Sequence, residues 1–504
     1  MQLGQVLRYH ASRSPERTAL VDRCGSERSA QSYAELDAKA RSVAAALRRA
    51  GLVEDDRVGL CAENGVGYVA AYFGALYAGA CVLPLPVLSA PGEVAYRLRH
   101  ARVRALMVDA ARWPLARNAL ESVGVGVSLL DVGDLMNEQD ATLPSDRPAG
   151  ASAMLLYTSG TTGSPKAAVL SHGGLLAHTA ALVHHALRLD AHSRVLGVLP
   201  FAHSFGTRMT LLAPLYAGGC CVTLPRFDAE ESLHTAEQEA VTWLPGVPSM
   251  FSAWSRVEGD PWPELEACLS AGAPLPESVR SAAEARLGAP IREGYGLTEA
   301  SFCTVDDGSS PRVHGHVGRP VFGVELRIRN EAGEAAETNE VGEVEVRGTN
   351  SMLSYLDEPE ATASVMHEGF LRTGDLGRLD PSGRLWIVDR RKDLILRGGY
   401  NVVPSEVEDA LASLPGVVGV AVVGRPDTDL GEEIVAVFAL AEGARLGPAE
   451  VGAHARLQLS RPKQPRELAY VEALPFGPSR KVLRQVLRER LISGELTTLP
   501  IPKI

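Results

Sequence analysis

The chain has 504 residues, 45% hydrophobic and 22% charged, with a formal net charge of -11. That length suits two to four domains with large cores, and the acidic balance argues against a general nucleic-acid binder. No apolar run reaches the roughly 18 residues of a membrane span, and the N-terminus MQLGQVLRYHASRSPERTAL has no signal-peptide core, so neither a span nor a leader is expected.

The first clear helical pattern is 33–51, where Leu36, Ala40, Val43 and Leu47 share one face and charges occupy the other. Short apolar strands at 57–62 and 81–86 flank an alanine-rich helical run at 67–79. A strand at 151–157 runs into the loop YTSGTTGSPK (157–166). A helix at about 174–187, a strand at 195–200, a helix at 205–217, a strand at 219–224, a helix at 228–239 and a strand at 241–245 follow. Apolar strands alternating with helices predict mostly parallel sheets covered on both faces. Residues 322–388 change character: VELRIR, GEVEVRG and GRLWIVD are short strands separated by Gly, Asn and Asp, which predicts a small β subdomain. The charged run DRRKD (389–393) marks the main boundary, and 403–491 then reads helix, strand, strand, helix, strand, helix. The predicted fold is α/β: a large domain over 1–388, a hinge at 389–393 and a small α+β domain over 394–504. The seven cysteines are scattered, form no C-x-x-C pair and read as reduced thiols of a cytoplasmic protein. HGH (314–316), His184–His185 and Cys220–Cys221 lack a second pair at ligand spacing, so they read as ordinary histidines and buried thiols.

The loop at 157–166 has the composition of a phosphate cradle without the Walker spacing: Pro165 precedes Lys166 and Ala167 follows it. Glycines Gly160 and Gly163 let backbone N–H groups approach an anion, Ser159, Thr161 and Thr162 add hydroxyls, and Lys166 adds charge. Its place after an apolar strand is where α/β sheets bind ligands. Four further stretches stand in order behind it: GYGLTEAS (294–301), expected to follow a strand; LRTGDLGRLD (371–380), expected to hold Asp375 in a tight Gly-Asp turn; DRRKDLILRGGYNVVPSEVE (389–408); and LPFGPSRKVLRQ (474–485).

Together these five stretches resemble the adenylate-forming superfamily, which includes acyl-CoA synthetases, aryl-CoA ligases, luciferases and the adenylation domains of nonribosomal peptide synthesis. The resemblance covers nearly the whole chain. It implies that a carboxylate attacks the α-phosphorus of ATP, releasing pyrophosphate, and that a thiol then attacks the acyl-adenylate, releasing AMP. By that resemblance Thr158, Ser159, Gly160, Thr161, Thr162, Gly163 and Lys166 grip the β- and γ-phosphates. Gly294, Tyr295 and Gly296 form the adenine site with Tyr295 stacked on the base, Thr298 bonds the α-phosphate, and Glu299 holds Mg²⁺. Asp375 accepts from the ribose hydroxyls and Arg390 approaches the ribose and phosphate. Lys481 bridges the reacting carboxylate and the nucleotide, although Arg480 stands where the family usually has Gly. Lys392 is the hinge residue about which a mobile C-terminal domain rotates, and Gly398 and Gly399 then line a tunnel for a pantetheine arm.

The segment LPFAHSFGTRMTLL (199–212) resembles the acyl-binding stretch, with His203 beside the acid's carboxylate. Arg208, the odd charge in that apolar helix, is a further pocket candidate, as are Ala271, Gly272 and Phe302. No Asp or Glu lies between 199 and 212, so an α-amino acid substrate, whose buried ammonium needs a partner, is disfavoured. The implied function is an acyl-CoA synthetase using ATP, Mg²⁺, CoA and a small non-amino carboxylic acid, as a monomer or homodimer. The alternatives are a ligase that loads an acyl carrier protein's phosphopantetheine or another nucleophile, and a degenerate nucleotide-binding protein.

Overall fold

The computed structural model describes residues 2–23, 28–124, 126–137, 146–158, 165–309, 313, 315–390, 394–397, 400–427, 430–477 and 482–502. The chain divides into two units, 1–326 with 346–372 and 327–345 with 373–504.

In the first unit the predicted amphipathic helix forms over Tyr33–Arg49. Its start is closed by a reciprocal cap: Ser32 Oγ accepts from the Glu35 N–H at 3.2 Å, and the Glu35 carboxylate accepts from the Ser32 N–H at 2.8 Å. Leu36, Ala40, Val43 and Leu47 are completely buried. They face the helix Val66–Tyr77, where a Cβ on Gly74 would sit 2.5 Å from Val43 Cβ, so the two helices meet closely because residue 74 has no side chain.

Two sheets organise this unit. In one, Ser152–Tyr157, Cys81–Pro84, Arg57–Cys61, Ala105–Val108 and Ser128–Asp131 run parallel in that order. In the other, Ile291–Leu297, Ala267–Ala271, Trp243–Gly246, Arg194–Gly197, Cys220–Thr223 and Thr18–Asp22 run parallel, with antiparallel strands at both edges. The strands are apolar because both faces are covered, as Val195, Leu196, Val222, Leu244 and Leu269 show by being almost wholly buried.

Three local expectations change. The chain does not pass from the 157–166 loop straight to a helix: Ala167–Ser171 is a strand, antiparallel to Ser152–Tyr157, so the loop closes a hairpin. The GYG stretch does not follow a strand but is the end of one, Ile291–Leu297. The helices expected at 174–187 and 205–217 contain π-helical turns at Leu182–Leu187 and Gly206–Leu212. In the second of these, Thr207 and Thr210 hydroxyls bond back to the His203 and Gly206 carbonyls at 3.1 and 2.7 Å, and Pro214 brings no N–H to the next turn.

In the second unit, residues 375–379 pair antiparallel with Leu385–Arg390. Buried Glu345 receives Arg327 at 2.6 Å and Arg329 at 3.0 Å. The predicted order beyond residue 403 forms as Pro404–Ala412, Val417–Asp427, Gly431–Leu440, Pro448–Gln458, Glu467–Tyr470 and Arg484–Ile492. Its core is Val407, Leu411, Ile434, Phe438, Val451 and Leu468.

Among the described residues no helix is long and apolar enough to cross a membrane, no cluster of His, Cys, Asp and Glu could hold a metal ion by itself, and the six cysteines are buried free thiols.

Candidate active site

The base of the 157–166 loop is a built feature. The Thr158 N–H donates to the Lys166 carbonyl at 2.8 Å and closes the hairpin. The Tyr96 hydroxyl donates to the Pro165 carbonyl at 3.2 Å, and the Tyr157 hydroxyl lies 2.7 Å from His100 Nδ1. These contacts fix Thr158 and Lys166, both half-buried, at the mouth of the loop. Ser159, Gly160, Thr161, Thr162 and Gly163 lie outside the described residues.

Gly294, Tyr295 and Gly296 lie in the strand that turns at Thr298–Glu299–Ala300 into the antiparallel strand Ser301–Val305. The register shifts between Tyr295 and Gly296, where a Cβ on Gly296 would collide with the Ser301 carbonyl. Ser301 itself has φ +51°, a left-handed conformation uncommon for a residue with a side chain. The turn therefore projects Thr298 and Glu299, both half-buried, from an irregular hairpin. Among the described residues the Thr298 hydroxyl has no hydrogen-bond partner.

The segment 350–356 ties this turn to the loop base. Asn350 Nδ2 donates to the Ala300 carbonyl at 2.6 Å, and the Met352 N–H donates to the Glu299 carbonyl at 2.6 Å. The next residues, Ser354–Tyr355, pair antiparallel with Ala167–Ser171. Tyr355 then reaches both sites. Its hydroxyl donates to Glu299 Oε1 at 2.7 Å, and the Lys166 ammonium sits 5.3 Å from its ring centroid. Burial, with the adjacent Glu299 charge, pushes the Tyr355 hydroxyl well above the usual phenol range, so it stays a donor. Sequence reasoning missed Tyr355. SYLDEPE carries no chemistry-bearing pattern, and only the pairing of Ser354–Tyr355 with Ala167–Ser171 distinguishes it.

The acyl-segment candidates also lie in the first unit. His203 precedes the π-helical turn, and burial with the nearby Arg97 charge pushes it down to about 4, so its imidazole is neutral at pH 7. Arg208 is 1% exposed, inside the turn. Ala271 ends a central parallel strand, and Gly272 follows with φ +92°. Phe302 packs edge-on against Phe205 at 5.3 Å between centroids, and a Cβ on Gly294 would stand 2.8 Å from its ring. Ala271, Phe302 and Met209 belong to one buried cluster with Phe205 packed on it.

In the second unit Asp375 is not in a turn. It is a strand residue, 4% exposed, directly after left-handed Gly374, and it is paired in register with Arg390. Its N–H donates to Thr373 Oγ1 at 3.1 Å. Lys392, Gly398, Gly399, Arg480 and Lys481 lie outside the described residues.

Residues 7–356 match the AMP-binding enzyme family, and residues 406–481 match the AMP-binding enzyme C-terminal domain. The chain is 33% identical to a sulfoacetate–CoA ligase of Cupriavidus necator over 96% of each chain. It is 34% identical to a feruloyl-CoA synthase of an Amycolatopsis species, over 97% of this chain and 99% of that one. The crystal structure of ATP-bound MatB from Rhodopseudomonas palustris superposes with a TM-score of 0.89 at 31% identity, covering 98% of this chain and 99% of that one.

Proposed function

The chain belongs to the AMP-binding enzymes of the adenylate-forming superfamily and is one of their acid–CoA ligases, and on that premise we propose how its own residues divide the work. The carboxylate of a small acid attacks the α-phosphorus of ATP, pyrophosphate leaves, and the CoA thiol then displaces AMP from the acyl-adenylate. The observation that carries this reading is the bridge through Tyr355, whose hydroxyl holds Glu299 and whose ring receives the Lys166 ammonium. Among the described residues this cation and this carboxylate make no ion pair with each other, so neither charge is spent on the other.

The residues present fit a hard divalent cation. Glu299 has one oxygen held by Tyr355 and the other without a partner among the described residues. Mg²⁺ there would supply neutralisation of phosphate charge. Lys166 and the loop from Thr158 to Gly163 hold the outer phosphates, and the free Thr298 hydroxyl meets the α-phosphate. Tyr295 packs on adenine between Gly294 and Gly296. Asp375 accepts from the ribose with Arg390 beside it on the neighbouring strand. Neutral His203 lies against the acid's carboxyl end without forming an ion pair that would blunt its nucleophilicity. Lys481 offsets repulsion between the two reacting anions. The C-terminal domain turns about Lys392 to bring Gly398 and Gly399 to the pantetheine arm.

The end-to-end match to CoA ligases supports CoA over a carrier protein as acceptor. Those relatives' names give chemically different acids, so they do not choose the acid here. The cationic Arg208 reinforces the case against an α-amino acid, because it would repel a buried ammonium. The test is ATP–pyrophosphate exchange with a broad acid panel, with and without Mg²⁺ and CoA. Acid- and Mg²⁺-dependent exchange with thioester formed only with CoA is the expected result. ATP binding without exchange for any acid would overturn it.

A further inference from the structure

Arg208 is among the largest fully buried side chains of the protein. Among the described residues it makes no ion pair. One guanidinium nitrogen, Nη1, donates to the Leu175 carbonyl at 3.2 Å, while Nε is buried with no partner. The groups facing it are Tyr72 and His178, and neither offers negative charge. The Tyr72 hydroxyl lies 3.8 Å from Met154 Sδ, and burial keeps it protonated. His178 Nε2 lies 2.8 Å from the Phe302 carbonyl, and burial pushes the ring down to about 3, so it is uncharged. The neighbourhood has further unused polar capacity: His178 Nδ1 and the Tyr68 hydroxyl are buried without partners, and the Tyr68 and Tyr72 rings stack at 6.4 Å.

A buried cation with an orphaned donor is costly, and a fold keeps one where something else completes it. Arg208 stands in a π-helical turn, a feature frequent at functional sites, five residues after His203. His178, which feels the Arg208 charge, is itself bonded to the Phe302 carbonyl. Both His203 and Phe302 belong to the acyl site in the reading above, on which this inference rests. We propose that Arg208 anchors a second anionic group, a carboxylate or sulfonate, on the acid substrate, so that the enzyme activates dianionic acids at their other carboxyl end. A planar guanidinium in a dry site suits such an oxoanion. The reacting carboxylate is not the group it holds, since a buried ion pair there would quench the nucleophile.

The full-length protein is assayed for pyrophosphate release with matched pairs: short dicarboxylic acids against their monomethyl esters, and sulfonated carboxylic acids against their methylsulfonyl analogues. The expected result is a preference in kcat/KM for the dianion on the order of 100-fold, carried mainly by KM. Arg208→Met should shift that ratio toward the neutral partner by a similar factor, and Arg208→Lys should recover part of it. A second readout is thermal unfolding. The dianion should raise the midpoint of the wild type more than the neutral ester does, and this difference should vanish in Arg208→Met. The two acid series tell carboxylate from sulfonate. Wild-type preference for the neutral partners, or a ratio unmoved by Arg208→Met, overturns the anion assignment and leaves the ligase reading standing. Failure of every acid to release pyrophosphate overturns both.

Discussion

Replacing Tyr355 with Phe deletes one hydroxyl and keeps the ring. The lost contact is the 2.7 Å hydrogen bond to Glu299 Oε1, a charge-assisted bond of the kind worth about 1.5–3 kcal/mol. Glu299 is only half-buried, so water can replace part of it, which places the loss near the lower end. About 1–2 kcal/mol corresponds to roughly 5- to 30-fold in rate. The Lys166 contact with the ring, 5.3 Å from its centroid, survives in Phe and is lost in Leu. Tyr355→Leu should therefore be slower again by a few-fold, since a cation–π contact to a half-buried lysine is worth about 0.5–1 kcal/mol. The assay is pyrophosphate exchange across a Mg²⁺ titration, with thermal unfolding as a folding control. Tyr355→Phe should raise the Mg²⁺ concentration needed for half-maximal rate as well as lower the rate, because the displaced group is the carboxylate proposed to hold the cation. A Phe variant with unchanged rate and Mg²⁺ dependence would refute the bridge as a functional element.

Lys481→Ala should lower adenylation by roughly 100- to 1000-fold while thioester formation from supplied acyl-adenylate continues, and comparable loss of both half-reactions would refute this role. Gly399→Leu should leave pyrophosphate exchange near wild type and suppress acyl-CoA formation; equal loss of both, with folding intact, would count against a thiol tunnel at that loop. His178 gives a pH prediction. Its folded-state pKa, about 3, lies below the unfolded value of 6.5, so the unfolded chain takes up the proton first as pH falls. Its contribution is intact above pH 6.5 and is lost progressively between 6.5 and 3, by roughly 2–3 kcal/mol at pH 4.5. Urea unfolding of wild type and His178→Gln at pH 7.5 and 4.5 should show the smaller acid loss in the variant; equal losses would contradict a buried neutral imidazole.

Local pattern was enough for much of the architecture. The helix over Tyr33–Arg49 has its apolar face written at helical spacing, and that face is buried. The order of elements beyond 403 follows from the same periodicities. The motifs could also be found in the sequence, because a phosphate-gripping loop or a metal-binding turn needs particular residue types at short spacing. Its limits are equally local. AAVLS after Lys166 is a short apolar run that fits strand or helix alike, and only pairing with Ser152–Tyr157 made it a strand. GYGL, rich in glycine, reads as a loop, yet two neighbouring strands hold it extended. Tyr355 stands 56 residues from Glu299, and no periodicity encodes a hydrogen bond over that distance. Arg208 was visible as an odd charge in an apolar segment. That it is buried without a carboxylate depends on what packs around it, on Leu175, Tyr72 and His178 from distant parts of the chain. Hydrophobic periodicity sets which face of each element turns inward, whereas the meeting of side chains across elements is decided by close packing in three dimensions.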